Sequence, residues 1–188
     1  MSRKSKKTIY YRRKREGKTN YKKRLALLKS GKLRLVIRKF NRNIIAQIIE
    51  YHPEGDKVIA GTHSNELKKY GWKLNNGNVP AAYLVGLLIG KKAKGKEAIL
   101  DLGLQSPVKG GRLYAVLKGA IDGGLKINAD KETFPTQERI EGKHIADYTR
   151  GMKDDLLKKQ FSEYINNKID VKNLEKYIKE VKEKISKD

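Results

Sequence analysis

Positive charge is concentrated at one end of this chain. Of its 44 Lys and Arg residues, 18 lie between Met1 and Arg42, where Glu16 is the lone acid. From Asn43 to Gly151 there are 16 basic and 12 acidic residues, and from Met152 to Asp188 there are 10 and 8. A stretch with one carboxylate for 18 cations repels itself, whereas the nearly balanced remainder can close a core. The chain must therefore fold as a domain carrying a polycationic arm. A uniform excess would suit solubility or salt adaptation. A one-ended excess points to a polyanionic partner.

The 188 residues suit one domain with extensions. Cysteine is absent, which excludes a disulfide scaffold, a thiol nucleophile and a Cys-based zinc site. No run approaches the roughly 18 apolar residues of a membrane span. The first residues lack the apolar stretch of a secretory signal. The expectation is a soluble, cytoplasmic protein.

Met1 to Lys23 holds little apolar content besides Ile9, Tyr10, Tyr11 and Tyr21, so it is expected to be extended, or partly helical only when docked. Asn20 to Lys29 predicts a short helix with Leu25 and Leu28 facing the domain. Lys32 to Phe40 alternates as a strand, with Leu33, Leu35 and Ile37 on one face and Arg34, Val36, Arg38 and Phe40 on the other. Asn41-Arg42-Asn43 is a turn signal, Asn43 to Tyr51 returns as a second strand, and Lys57 to Thr62 is a third. Ser64 to Tyr70 reads as a short helix ended by Gly71. Asn78-Val79-Pro80 opens a longer one, running to Lys92 and apolar nearly all round. Glu97 to Leu102 predicts a fourth strand and Gly111 to Ile121 a helix stopped by Gly123-Gly124. Leu125 to Ile127 suggests a brief fifth strand. Thr136 to Arg150, Met152 to Asn166 and Asp170 to Lys187 each read as helical. The last carries Val171, Leu174, Ile178, Val181 and Ile185 on one stripe, to be covered by its own domain or by a partner helix. The order predicts an α/β fold: a mixed β-sheet with helices packed on one face, a basic extended N-terminal segment and a helical C-terminal extension. The expected division is an arm at 1–31, a core at 32–150 and an extension at 151–188.

The arm is the strongest functional signal. Each Lys or Arg set against a phosphate releases counterions, so affinity accumulates with their number. Arg12, Arg13 and Arg15 can pair bidentately with phosphates. Tyr10, Tyr11 and Tyr21 offer rings on which unpaired bases can stack, at ~1–3 kcal/mol each. Rings have no purpose in a merely solubilising tail; a nuclear address would not compete with RNA binding. Arg34 and Arg38 share a sheet face that helices on the other side would leave open, either to a ligand or to solvent. Lys91, Lys92, Lys94 and Lys96 form a second cluster, either a solvated helix end or a further phosphate contact. Catalytic readings are weaker. His52, His63 and His144 lack metal-ligand spacing, and Gly110-Gly111-Arg112 and Gly123-Gly124 match no phosphate-binding loop. Asp101 and Asp122 are isolated acids, so a metal-dependent nuclease pair has nothing to recommend it. A nucleoid-type DNA binder would have little use for the tyrosines.

Several stretches carry a resemblance. Arg34-Leu-Val-Ile-Arg38-Lys-Phe-Asn41-Arg42-Asn43-Ile-Ile-Ala-Gln47, Asn78-Val-Pro80-Ala-Ala-Tyr83-Leu-Val-Gly86 and Glu97-Ala-Ile-Leu-Asp101-Leu-Gly103 are similar, in order and spacing, to the universal large-subunit ribosomal protein eighteen family. So are Gly111-Arg112, Lys118-Gly119-Ala-Ile-Asp122-Gly123-Gly124-Leu and Arg139-Ile-Glu-Gly142-Lys-His144-Ile. The C-terminal helical region and the length place the chain nearest the archaeal branch. The resemblance implies a structural, non-catalytic protein without cofactor or metal. It implies binding to 5S rRNA and large-subunit rRNA in the central protuberance, beside the neighbouring ribosomal protein that also binds 5S rRNA. It implies no membrane and no homo-oligomer. The family's Asp101, Asp122 and Gly123 positions look like fold positions. The expected RNA contacts are therefore Arg3, Lys4, Lys6, Lys7, Tyr10, Tyr11, Arg12, Arg13, Arg15, Lys18, Tyr21, Lys22, Lys23 and Arg24 from the arm, and Arg34, Arg38, Asn41 and Arg42 from the first strand and its turn.

Overall fold

Two short helices precede the sheet, α1 (Arg12–Arg15) and α2 (Tyr21–Leu28), in a computed structural model that describes residues 8–167 and 169–188, with backbone alone at Lys172. Asn20 caps α2 by accepting the Lys23 amide at 3.0 Å, the usual remedy for the orphan donors of a helix start. α1 departs from the expected extended arm, whereas α2 falls within the helix expected over Asn20–Lys29. Its apolar anchor also differs: Leu27 and Leu28 are half-buried, while Leu25 is 58% exposed.

The strands follow the predicted alternation. β1 (Leu33–Lys39) and β2 (Ile44–Glu50) pair antiparallel, with Val36 opposite Gln47. β3 (Lys57–His63) pairs antiparallel with β2 through an irregularity at Ile48/Ile49. A 3-10 turn over Ser64–Tyr70, capped by His63 and closed by the left-handed Gly71, leads towards α3 (Val79–Lys92). β4 (Ala98–Asp101) then returns parallel to β1, giving a mixed sheet in the order β3-β2-β1-β4. The expected fifth strand is reduced to a single bridge between Glu97 and Lys126.

One face of the sheet is covered by α3 and α4 (Arg112–Asp122). Leu35, Ile37, Ile44, Ala46 and Ile48 are fully buried beneath them. The two helices pack so closely that glycine is required at their crossing. A Cβ at Gly86 of α3 would lie 2.1 Å from the Val116 carbonyl oxygen, and one at Gly119 of α4 would lie 2.1 Å from that of Tyr83. Near the same contact the Tyr83 hydroxyl donates to Asp122 at 2.8 Å; burial first, then this bond, raises the Tyr83 pKa.

The helix expected over Thr136–Arg150 is broken into α5 (Gln137–Ile140) and α6 (Lys143–Arg150) by Gly142 at φ +80°. That over Met152–Asn166 is likewise two pieces, α7 (Asp154–Gln160) and α8 (Ser162–Asn166). The last helix, α9 (Leu174–Lys187), follows a 3-10 turn at Val171–Asn173. Its stripe packs on the domain itself: Val171, Leu174, Ile178, Val181 and Ile185 are buried, and α9 lies against α3 and α6. Lys91 fastens its end, donating to the carbonyls of Ile185 and Ser186 at 2.7 and 3.0 Å, where a helix leaves carbonyls unpaired.

Gly119→Ala is expected to lower stability by about 1–3 kcal/mol, the usual cost of overpacking. Gly151→Ala, at φ −87° with open space around it, should be nearly neutral. Urea unfolding of both variants checks the contrast.

Candidate nucleic-acid interface

The second face of the sheet is where the charge becomes specific. Alternation along β1 puts Arg34 and Arg38 there, as expected, but the face is not open. Arg34 is 2% exposed. Its guanidinium donates to Asp101 at the end of β4 (2.9 Å) and to Asp56 before β3 (2.6 Å). One arginine on a central strand thus holds both flanks of the sheet. Arg38 donates to the Asp101 carbonyl oxygen at 2.9 Å and to its carboxylate at 3.4 Å. So covered, Arg34 presents nothing to bulk solvent, and only its Nε–H, facing the arm, is left without an acceptor in the protein. It serves the fold, and it leaves the set of outward-facing contacts.

The cover is the arm. Arg24 of α2 donates to Asp56 at 2.9 Å, sharing that carboxylate with Arg34. Lys23 donates to the Gly103 carbonyl oxygen at 3.3 Å. So α2 is pinned to the turn before β3 and to the loop after β4. Burial alone would raise the Asp56 pKa; the hydrogen bonds and charges of Arg34 and Arg24 outweigh it and hold the carboxyl below its ordinary 3.8. Between arm and sheet lies a cavity of about 470 Å³.

Upstream of α2 the arm is exposed and largely self-paired. Arg12 and Lys18 both reach Glu16, at 3.2 and 3.0 Å. Arg13 donates to the Thr19 hydroxyl at 2.9 Å. The Lys14 ammonium sits 3.6 Å above the Tyr10 ring. Tyr11, 72% exposed, lies against Tyr21 with ring centroids 5.0 Å apart. Arg15 and Lys22 are exposed. Arg3, Lys4, Lys6 and Lys7 lie outside the described residues.

The β1–β2 turn forms a second exposed point. Phe40, Asn41 and Arg42 are exposed, and two residues to which the sequence reading gave no such role hold them there. Arg112 donates to the carbonyl oxygens of Phe40 (3.2 Å) and Gly77 (2.8 Å). Gln105 pairs with the Lys39 backbone amide and carbonyl, both at 3.2 Å. No local pattern signals such long-range partners; the one clue to Asp56 and Asp101 was their acidity opposite a basic strand. In the second basic cluster, Lys91 holds α9 and Lys92 holds Glu66 (2.7 Å) and the Gly61 carbonyl oxygen (2.8 Å), which leaves Lys94 and Lys96 exposed. Among the described residues no cluster of His, Asp and Glu is arranged to hold a metal ion, and no helix is long and apolar enough to cross a membrane.

The family model for "Ribosomal large subunit proteins 60S L5, and 50S L18" matches residues 5–97. The large ribosomal subunit protein uL18 of Caldivirga maquilingensis is 50% identical over 184 residues, covering 94% of this chain and 89% of that protein.

Because its folded-state pKa is lowered, Asp56 contributes stability that is complete above its ordinary value of 3.8 and lost as pH falls through the lower folded-state value. The stability gap between the parent protein and Asp56→Asn should therefore be constant above about pH 5 and close towards pH 2. Asp101→Asn, which leaves a buried guanidinium one counter-ion short, should cost roughly 3 kcal/mol at neutral pH. Denaturant titrations across pH test both.

Proposed function

Since the chain belongs to the large-subunit ribosomal protein family of 50S L18 and 60S L5, a structural rather than an enzymatic family, we propose that it binds 5S rRNA and helps attach that RNA to the large-subunit rRNA in the central protuberance. The observation that carries this reading is the polycationic arm at 1–31, with 13 Lys and Arg against Glu16 alone, whose helix α2 is pinned through Lys23 and Arg24 to the folded domain. Pinning gives the cations of α2 a constant position relative to the sheet, so less ordering is needed there on binding. Tyr10, Tyr11, Arg12, Arg13, Arg15, Lys18, Tyr21 and Lys22 act from the arm, with the undescribed Arg3, Lys4, Lys6 and Lys7. Asn41 and Arg42 act from the turn. Lys23, Arg24 and Arg38 hold the arm or the sheet edge and border the same surface.

The proposed division keeps the arm at 1–31, the core at 32–150 and the extension at 151–188. Within the arm, α2 is the anchor and the residues before it supply affinity. The partners are 5S rRNA, large-subunit rRNA and the neighbouring 5S-binding protein; a homo-oligomer is not expected.

Purified protein should select 5S rRNA from total RNA at moderate salt. Equal retention of transfer RNA would overturn the assignment, and preference for duplex DNA in competition would replace it. Removal of residues 1–19 should shift the melting temperature little, because the pins at Lys23 and Arg24 remain. It should flatten the salt dependence of RNA binding, by a slope of about 0.7–0.9 for each phosphate that is no longer neutralised.

A further inference from the structure

The cavity between the arm and the sheet has the construction of a nucleotide site. Its floor is mixed: Val36 is buried there with half-buried Ile49 and Leu27, beside the paired Arg34, Asp56 and Asp101. Its rim is cationic, with Arg13, Lys18 and Lys23 all exposed. Tyr21 lines it as well. Arg34, although 2% exposed, keeps an Nε–H with no acceptor in the protein. A buried donor left unpaired costs stability unless something fills the role. At about 470 Å³ the space lies within the range of small-molecule and cofactor pockets.

We propose that this cavity receives one unstacked nucleotide of the bound RNA strand, with its base over Val36 and Ile49, its phosphate at the cationic rim and a polar base or sugar atom accepting from Arg34 Nε–H. The inference rests on the RNA-binding reading above and adds to it a specific entry point. RNA is recognised best where bases are splayed out of the helix and can be stacked and hydrogen-bonded. The arm and the sheet then act as two jaws of one site. The network that pins α2 sets the gap between them, through Arg24 and Asp56.

Two experiments on the full chain test it. Thr19→Trp places a bulky ring in the cavity from the arm side, where Thr19 is half-buried, without removing charge. It should weaken 5S rRNA binding roughly tenfold, within the range expected for removing one stacked base, and leave the salt slope unchanged. Arg15→Gln, outside the cavity lining, should instead reduce the slope and weaken binding less. In the unaltered protein, a short single-stranded oligoribonucleotide should shift the Arg34 Nε–H resonance and slow its exchange with water. Unchanged binding by Thr19→Trp, or an Arg34 Nε–H resonance indifferent to the oligoribonucleotide, would overturn the pocket while leaving 5S selection by the parent protein intact. Equally tight binding of a free nucleoside monophosphate would overturn the assignment to an RNA strand. Failure of the parent protein to select 5S rRNA would instead sink the reading beneath it.

Discussion

A buried arginine in the middle of a sheet is costly unless its charge is matched where it lies, and the second face of this domain is organised around meeting that requirement at Arg34. Two carboxylates from opposite sides do so: Asp101 from the end of the neighbouring parallel strand and Asp56 from the turn before the far edge strand. Each comes from a segment that must be correctly placed for the charge to be neutral. The pairing thus reports on the registry of the whole sheet, since β4 must be in register with β1 and the β2–β3 connection must fold back over it. Isolated ion pairs on a surface impose no such condition. A pair this deeply buried does, because removing either partner leaves an uncompensated charge.

The same network explains why the arm has a fixed root. Asp56 has two carboxylate oxygens; one takes Arg34 and the other takes Arg24. Closing α2 over the sheet therefore ties the arm to the same carboxylate that a core arginine uses. On the opposite face the requirement is steric. Glycines at the α3–α4 crossing let backbones touch, and Lys91, on the last turn of α3, holds the end of α9. One layer is tied by charge and the other by contact, and the C-terminal extension belongs to the second.

Periodicity made much of the fold legible. Alternation in Lys32–Phe40 placed Leu35 and Ile37 in the core and both arginines opposite. Asn78 with Pro80 marked the start of α3 to the residue, because capping chemistry is local. The misses have a common cause. Leu25 was assigned inward because helical spacing suggests a stripe. The orientation of α2 is instead decided by Arg24 and Asp56, 32 residues apart. Thr136–Arg150 read as one helix because its apolar spacing survives the break, although Gly142 in the left-handed region turns the chain there. The arginine face was taken as open because the helices were placed on the other one; a short helix held by two cations covers it instead. Ribosomal family membership was legible from ordered motifs, but the division between cations that hold the fold and cations that face outward was not.

That division is what turns a basic chain into a directional one. Arg34, Arg24, Arg38, Lys91 and Lys92 all find acceptors inside the protein. The acids that engage them, Asp56, Asp101 and Glu66, lie in the folded domain rather than the arm. Glu16, the sole acid of the arm, is shared by Arg12 and Lys18 and so cannot neutralise both. The uncompensated positive charge accordingly stays upstream of α2 and at the β1–β2 turn. Lengthening the arm would add affinity for any polyanion alike, since phosphate contacts carry little sequence information. Selectivity has to come from the places where charge meets shape, which are the rigid turn held by Arg112 and Gln105 and the gap beneath the pinned arm. The turn is built by the folded domain and the gap by the arm and the sheet together, so on the proposed reading the choice of partner depends on how the charged arm is set against the domain and not on its charge alone.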